Sequence, residues 1–244
     1  MLLRSAQLHR LRLPLLGMAL GSACLAVSGA VTETRNFTVN TDIADLQDPP
    51  LSFLQIITDS SIQSLTRVEV GLSLVGRDFG GFAGEMFVSL NKDLSITSVL
   101  INRVGFSSTD SIGLPYNGWN VTLSDLAASD LHTVAQTSGV LTGTYQPDGR
   151  VDPTSLIRPE MLNVFSGGTG NGEWRLNVAD LGLGGTMRLT GWSLTFTGEL
   201  IPETGTSAAG VSLAMAVGGI WWQRRRQRQA VLARDQSAAS TSMR

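Results

Sequence analysis

The stretch LNVFSGGTGNGEWRLNVADLGLGGTMRLTGWSLTFTG, residues 162–198, decides the fold. Within it Trp174, Leu176 and Val178 alternate with Glu173, Arg175 and Asn177. Trp192, Leu194 and Phe196 alternate with Ser193, Thr195 and Thr197. A period of two marks a strand that buries one face. The glycine-rich links SGGTGNG and LGLGG supply turns between such strands. The same pattern recurs upstream. Val68, Val70, Leu72 and Leu74 share one phase, as do Met86, Val88 and Leu90, and Trp119, Val121 and Leu123. TSVLINR, residues 97–103, is apolar enough to predict a central strand. No long 3.6-residue amphipathic pattern appears between the two ends. Short strands joined by glycine turns predict an all-β chain folded as an antiparallel β-sandwich over residues 51–200.

The chain has 244 residues, enough for one domain with terminal extensions. Its start reads as a signal helix. Arg4, Arg10 and Arg12 precede the apolar run LPLLGMALGSACLAV, and Ser28 and Ala30 are the small residues of a cleavage site. Residues 1–30 are thus expected to be removed by signal peptidase. The only cysteine, Cys24, lies in that segment. A mature domain without cysteine excludes disulfides, thiol catalysis and cysteine-ligated zinc. Residues 31–50 read as an irregular leading segment, because residues 40–50 are polar, acidic and end in Pro49-Pro50. Residues 150–162 carry prolines at both ends and predict a surface loop with one short helical turn.

The formal net charge of −2 hides an asymmetry. Residues 31–200 hold 18 acidic and 9 basic side chains, a net charge of −9, and the other basic residues lie at the ends. An acidic surface repels phosphate backbones, so nucleic acid is not an expected partner. It is compatible with calcium, which takes oxygen ligands from loops. A serine hydrolase needs a nucleophile, a base and an orienting carboxylate. His132 is the only histidine after the signal segment, and SDLHTVAQTSG around it reads as a polar loop with an exposed histidine. No Gly-x-Ser-x-Gly elbow is present. Trp174 and Trp192 are expected in the core. Trp119, near Tyr116, is also expected in packing, with an exposed aromatic patch as the alternative. Asn36-Phe37-Thr38 and Asn120-Val121-Thr122 match the glycosylation acceptor pattern.

The 162–198 stretch resembles the closing half of the P-domain, or Homo B domain, that accompanies subtilisin-like proteases of the proprotein-convertase type. The matching residues are Leu162, Phe165 and Gly167, then Gly172, Trp174, Leu176, Val178 and Asp180, then Gly184 and Gly185, then Trp192, Leu194 and Phe196. Weaker matches precede them in order. Glu85 and Met86 replace an Asp-Leu pair, Thr122, Asp125 and Ala127 match a Thr-x-x-Asp-x-Ala element, and Gly143, Tyr145 and Pro147 match a Gly-x-aromatic-x-Pro element. The resemblance implies a jelly-roll-like sandwich, often calcium-binding, that acts near peptidases without a triad of its own. Glu85, Asp125 and Asp180 fall on acidic family positions and become the candidate calcium ligands.

After the domain comes IPETGTSAAGVSLAMAVGGIWWQRRRQRQ, residues 201–229. Ile201, Pro202, Glu203, Thr204 and Gly205 open it, and residues 207–223 form an apolar run of marginal length for a transmembrane helix. Arg224, Arg225 and Arg226 begin a basic tail over residues 224–244 that is expected to stay cytoplasmic. This order resembles the PEP-CTERM signal read by exosortase-type enzymes. IPETG also resembles the Leu-Pro-x-Thr-Gly signal of sortase substrates. The expected function is an exported, surface-sorted, non-catalytic module held transiently at the membrane, with a protease or polysaccharide partner. The alternatives are a hydrolase with its site in the loops, acting on peptide or glycan, and a structural envelope or matrix component.

Overall fold

A computed structural model describes residues 29–77, 82–107, 109–110, 112–115, 117–134 and 138–200, together with Trp222 and Arg225. Among these residues nine strands form two sheets. They are β1 (Val31–Ile43), β2 (Leu51–Ile57), β3 (Ile62–Gly76), β4 (Met86–Lys92), β5 (Ile96–Asn102), β6 (Gly118–Leu123), β7 (Val140–Tyr145), β8 (Gly172–Asp180) and β9 (Met187–Leu200). The larger sheet has the order β1-β9-β3-β6-β7, and the smaller has the order β2-β8-β4-β5. The chain is an all-β sandwich. No helix among the described residues is long and apolar enough to cross a membrane. The expected signal segment and membrane span fall almost wholly outside the described residues.

The alternation read in the sequence is what closes the sandwich. Leu194 and Phe196 of β9, Val70 and Leu74 of β3, and Trp119 of β6 point inward from the larger sheet and are fully buried. Trp174, Leu176 and Val178 of β8 and Met86, Val88 and Leu90 of β4 face them and are equally buried. Trp174 bridges the two layers: its ring lies 5.0 Å from Phe196 and 5.1 Å, edge-on, from Phe165. Its indole N–H donates to the Gly170 carbonyl at 3.0 Å, so the polar end of the ring is satisfied inside the core. Trp192 packs on Phe37 at 4.6 Å. Trp119 lies in the core, and Tyr116 is outside the described residues.

Three expectations are corrected. Val31–Ile43 is not irregular; it is β1, paired antiparallel along β9 from Val31↔Gly198 to Ile43↔Met187. Its inward phase includes Glu33 and Arg35, so apolar alternation does not reveal it. Glu33 is held by the Ser61 N–H at 2.9 Å, and Arg35 pairs with Asp59 at 3.2 Å. The sandwich is not purely antiparallel, because β6 and β7 run parallel in register Gly118↔Val140 to Leu123↔Tyr145. Finally, β5 is an edge strand rather than a central one. The loop after β7 covers that edge with backbone bonds: Asp148 N–H to Leu100 O at 2.9 Å, Gly149 N–H to Val99 O at 2.8 Å and Val99 N–H to Glu160 O at 2.9 Å. This cover explains why an edge strand can be so apolar. The helical turn expected within residues 150–162 does not form there; those residues run as bends and turns up to the 3-10 turn Leu162–Phe165.

Candidate functional site

Glu85 and Asp180, far apart in sequence, meet at one end of the smaller sheet. Glu85 closes a 3-10 turn and leads directly into β4, and β4 pairs with β8 through Met86↔Asp180. The Leu181 N–H donates to the Glu85 carbonyl at 2.9 Å, locking the turn after β8 against it. Gly182 lets the carboxylate in: a Cβ there would lie 2.0 Å from Glu85 Cδ. The connection between β1 and β2 docks on the same turn. Leu46 N–H donates to Gly182 O at 3.2 Å, and Gln47 N–H donates to Asp180 O at 2.8 Å. This docking brings in Asp45, whose Oδ2 accepts from the Gly184 N–H at 3.2 Å. Sequence reading missed Asp45, which stands in a polar segment with no motif around it.

The carboxylates are poorly satisfied. Asp180 is fully buried; among the described residues its Oδ1 accepts from the Gly182 N–H at 3.2 Å and its Oδ2 finds no partner. Among the same residues Glu85 Oε2 and Asp45 Oδ1 are also buried without partners. Burial pushes the Asp180 carboxyl up, the Gly182 N–H opposes this, and the charges of Glu85 and Asp45 add to it, bringing it to about 7. Burial first, and the Asp45 charge second, raise Glu85, against the pull of Arg103. Buried anions without partners are costly, so such a group holds a proton or a cation. Among the described residues no group of three or more His, Cys, Asp or Glu side chains converges tightly enough to form a complete metal cage. A cation here would draw on Glu85 and Asp180 and complete its shell with water and backbone oxygens, as calcium does.

Asp125, the third candidate, is elsewhere. Its two oxygens accept from the Leu162 N–H at 3.0 Å and the Asn163 N–H at 2.6 Å, capping the 3-10 turn that holds Phe165 in the core. Burial raises its carboxyl and these two bonds oppose the rise. It is a structural cap, and the three candidates do not form one site.

His132 is not the exposed loop histidine expected. Its side chain is 12% exposed, and Nδ1 lies 2.8 Å from Asp148 Oδ2. Asp148 is fully buried and also accepts from the Asn102 N–H at 3.1 Å and from Arg150 at 3.0 Å. Arg150 reaches on to Asp130 at 2.6 Å. Burial would raise Asp130, but Arg150 and the His132 N–H outweigh it and hold the carboxyl below its ordinary value. A His–Asp pair is the orienting half of a nucleophile–base arrangement. A cleft of about 360 Å3 beside it is lined by Ser107, Thr133, Thr154 and Ser155, among others. Each of these hydroxyls is engaged away from His132: Ser107 with Thr109, Thr133 with the Asp130 carbonyl, Thr154 with Asp152, and Ser155 with the Ile157 N–H. The pair ties the 3-10 turn Leu131–Thr133 to Asp148 at the start of the 148–162 loop.

Ile201, Pro202, Glu203, Thr204, Gly205, Arg224 and Arg226 lie outside the described residues, and Arg225 is helical and exposed. No family model matches the chain, and no curated protein matches it. Among solved structures, it is similar to the complex of Aeromonas sobria serine protease (ASP) and the chaperone (ORF2). That match has a TM-score of 0.41 and 18% identity, covering 71% of this chain and 28% of that one. It is also similar to dimeric latent PorU from Porphyromonas gingivalis. There the TM-score is 0.32 and the identity 10%, covering 73% of this chain and 14% of that one. The chain spans less than a third of either, and scores of this size say nothing about activity.

The carboxylate cluster sets a pH dependence. Asp180 binds its proton up to about pH 7 when folded, against 3.8 as its reference value. Between those limits the folded chain holds more protons than the unfolded one, so stability falls as pH rises. In chelator, the unfolding midpoint is expected to drop between about pH 4 and pH 7. Asp180→Asn is expected to flatten that drop and raise the midpoint at pH 8 by roughly 5 °C, from ~2 kcal/mol of relieved burial penalty. A midpoint that rises steadily over the same range in the unmodified chain would contradict the assignment.

Proposed function

We propose that this chain is an exported, surface-sorted, non-catalytic P-domain-like module that binds calcium at Glu85 and Asp180 and serves a protease or another envelope partner. The observation that carries the reading is the meeting of Glu85 and Asp180 as buried, unsatisfied carboxylates at the end of paired strands β4 and β8. These are two of the acidic positions at which the sequence resembles the P-domain. The placement of Trp174 and Trp192 on neighbouring layers of one core supports the same reading. Asp45 joins them as a third negative charge that a divalent cation would offset. His132 and Asp148 contact each other beneath the loop, an arrangement that fits a module acting by binding.

A ligand of the folded state raises apparent stability by mass action. At calcium a hundredfold above its dissociation constant the gain is about 2.7 kcal/mol, several degrees in the unfolding midpoint of the full chain. Glu85→Gln is expected to abolish that gain while leaving the midpoint in chelator unchanged or higher. Identical midpoints with calcium and with chelator would exclude the metal.

Delivery rests on the two ends of the chain. The signal pattern of residues 1–30 and the tail from Ile201 predict a mature envelope protein that starts near Val31 and has lost the segment beyond Glu203 to Gly205. Mass spectrometry of the protein from its native envelope checks this. Recovery of peptides from residues 221–226 in the mature form would contradict sorting by cleavage.

A further inference from the structure

The connection between β1 and β2, residues 44–50, is held chiefly by hydrogen bonds to the turn after β8. Asp45 and Gln47 are half-buried, and its other residues are exposed. The Leu46 N–H donates to Gly182 O at 3.2 Å, the Gln47 N–H donates to Asp180 O at 2.8 Å, and Asp45 Oδ2 accepts from the Gly184 N–H at 3.2 Å. Leu46 stands at φ 53°, in the left-handed region that a leucine enters only at a cost. Its side chain is 58% exposed, so packing does not repay that cost. A strained segment with no buried apolar side chain opens locally at low free energy. Both of its ends are firm. Ile43 is fully buried and pairs with Met187, and Leu51 pairs with Val178. Opening is therefore confined to residues 44–50.

What opening changes is charge. With the connection docked, Asp45 adds its negative charge to those of Glu85 and Asp180. Among the described residues each of the three keeps one buried oxygen without a partner: Asp45 Oδ1, Glu85 Oε2 and Asp180 Oδ2. Three such anions repel when no cation lies near them, and undocking carries Asp45 away from the other two. A cation on Glu85 and Asp180 reverses the sign, because it attracts Asp45 and favours the docked connection. A ligand shifts a two-state element by its difference in affinity for the two states, and the docked state offers it one more negative charge. Asp45 supplies that charge without closing a cage, since among the described residues no three such side chains converge tightly enough to form one.

We propose that residues 44–50 are a calcium-controlled latch, with Asp45 as the residue that senses the cation. The latch rests on the calcium reading of Glu85 and Asp180. The test is hydrogen–deuterium exchange of the full 244-residue chain in chelator and in saturating calcium, with the unfolding midpoint measured in parallel. It is run at pH 8, above the Asp180 midpoint of about 7, so that the proton does not compete with the metal. In chelator the Leu46 and Gln47 amides are expected to exchange roughly tenfold faster than in calcium. The Leu176 and Val178 amides of the core are expected to stay protected in both solutions. Asp45→Asn keeps an acceptor for the Gly184 N–H and removes the charge, so it is expected to keep Leu46 and Gln47 slow in chelator. A midpoint that rises with calcium while Leu46 and Gln47 exchange alike in both solutions would overturn the latch and leave the metal site standing. A midpoint that does not rise would overturn both. Fast exchange or a lowered midpoint for Asp45→Asn in chelator would overturn the role of Asp45.

Discussion

Burying the Asp180 carboxylate beside Glu85 is the constraint to which the neighbouring structure conforms. Asp180 ends β8, an inner strand of the smaller sheet, and the same strand carries Trp174 into the core. The strand cannot slide to expose Asp180 without withdrawing Trp174, because a shift of one residue turns every side chain to the other face. The turn after β8 is therefore built around two carboxylates. Gly182 gives Glu85 room, Leu181 bonds its carbonyl, and the β1–β2 connection is fastened to the same turn by Leu46 and Gln47. A proton, a bound water or a cation can complete the cluster, and the proposed calcium would compete with the Asp180 proton near pH 7.

A second constraint acts at the β5 edge of the smaller sheet. There β5 is apolar but lies at the end of the strand order, and an open apolar edge invites pairing with another chain. Residues 148–160 close it by bonding to Val99 and Leu100. That loop has little apolar substance: Leu156 and Ile157 are largely exposed. Its position is set by Asp148, Arg150, Asn102 and His132, a buried polar network in which Asp148 alone accepts from three of the others' groups. Removing one partner of such a network leaves a buried charge, at a cost of about 3–5 kcal/mol.

Much of the core was legible because it follows a period of two. Trp174, Leu176 and Val178 and Trp192, Leu194 and Phe196 point where their alternation says, as do Met86, Val88 and Leu90. β1 was not legible, since Glu33 and Arg35 occupy inward positions and bond to Ser61 and Asp59, residues outside the strand. The edge position of β5 was hidden because its covering comes from a loop with no strand signal of its own. The resemblance pointed to Glu85 and Asp180, while Asp45 and the pairing of His132 with Asp148 depend on contacts between distant segments.

Near pH 7 the buried Asp180 carboxyl is about half protonated, and the proposed cation would displace its remaining proton. Carbon-detected NMR of the side-chain carboxyl, across a pH series in chelator and again in saturating calcium, measures this directly. A titration midpoint near 7 is expected in chelator and one below the ordinary carboxylate range in calcium. A midpoint near 4 in both solutions, the value of an ordinary solvated aspartate, would contradict it.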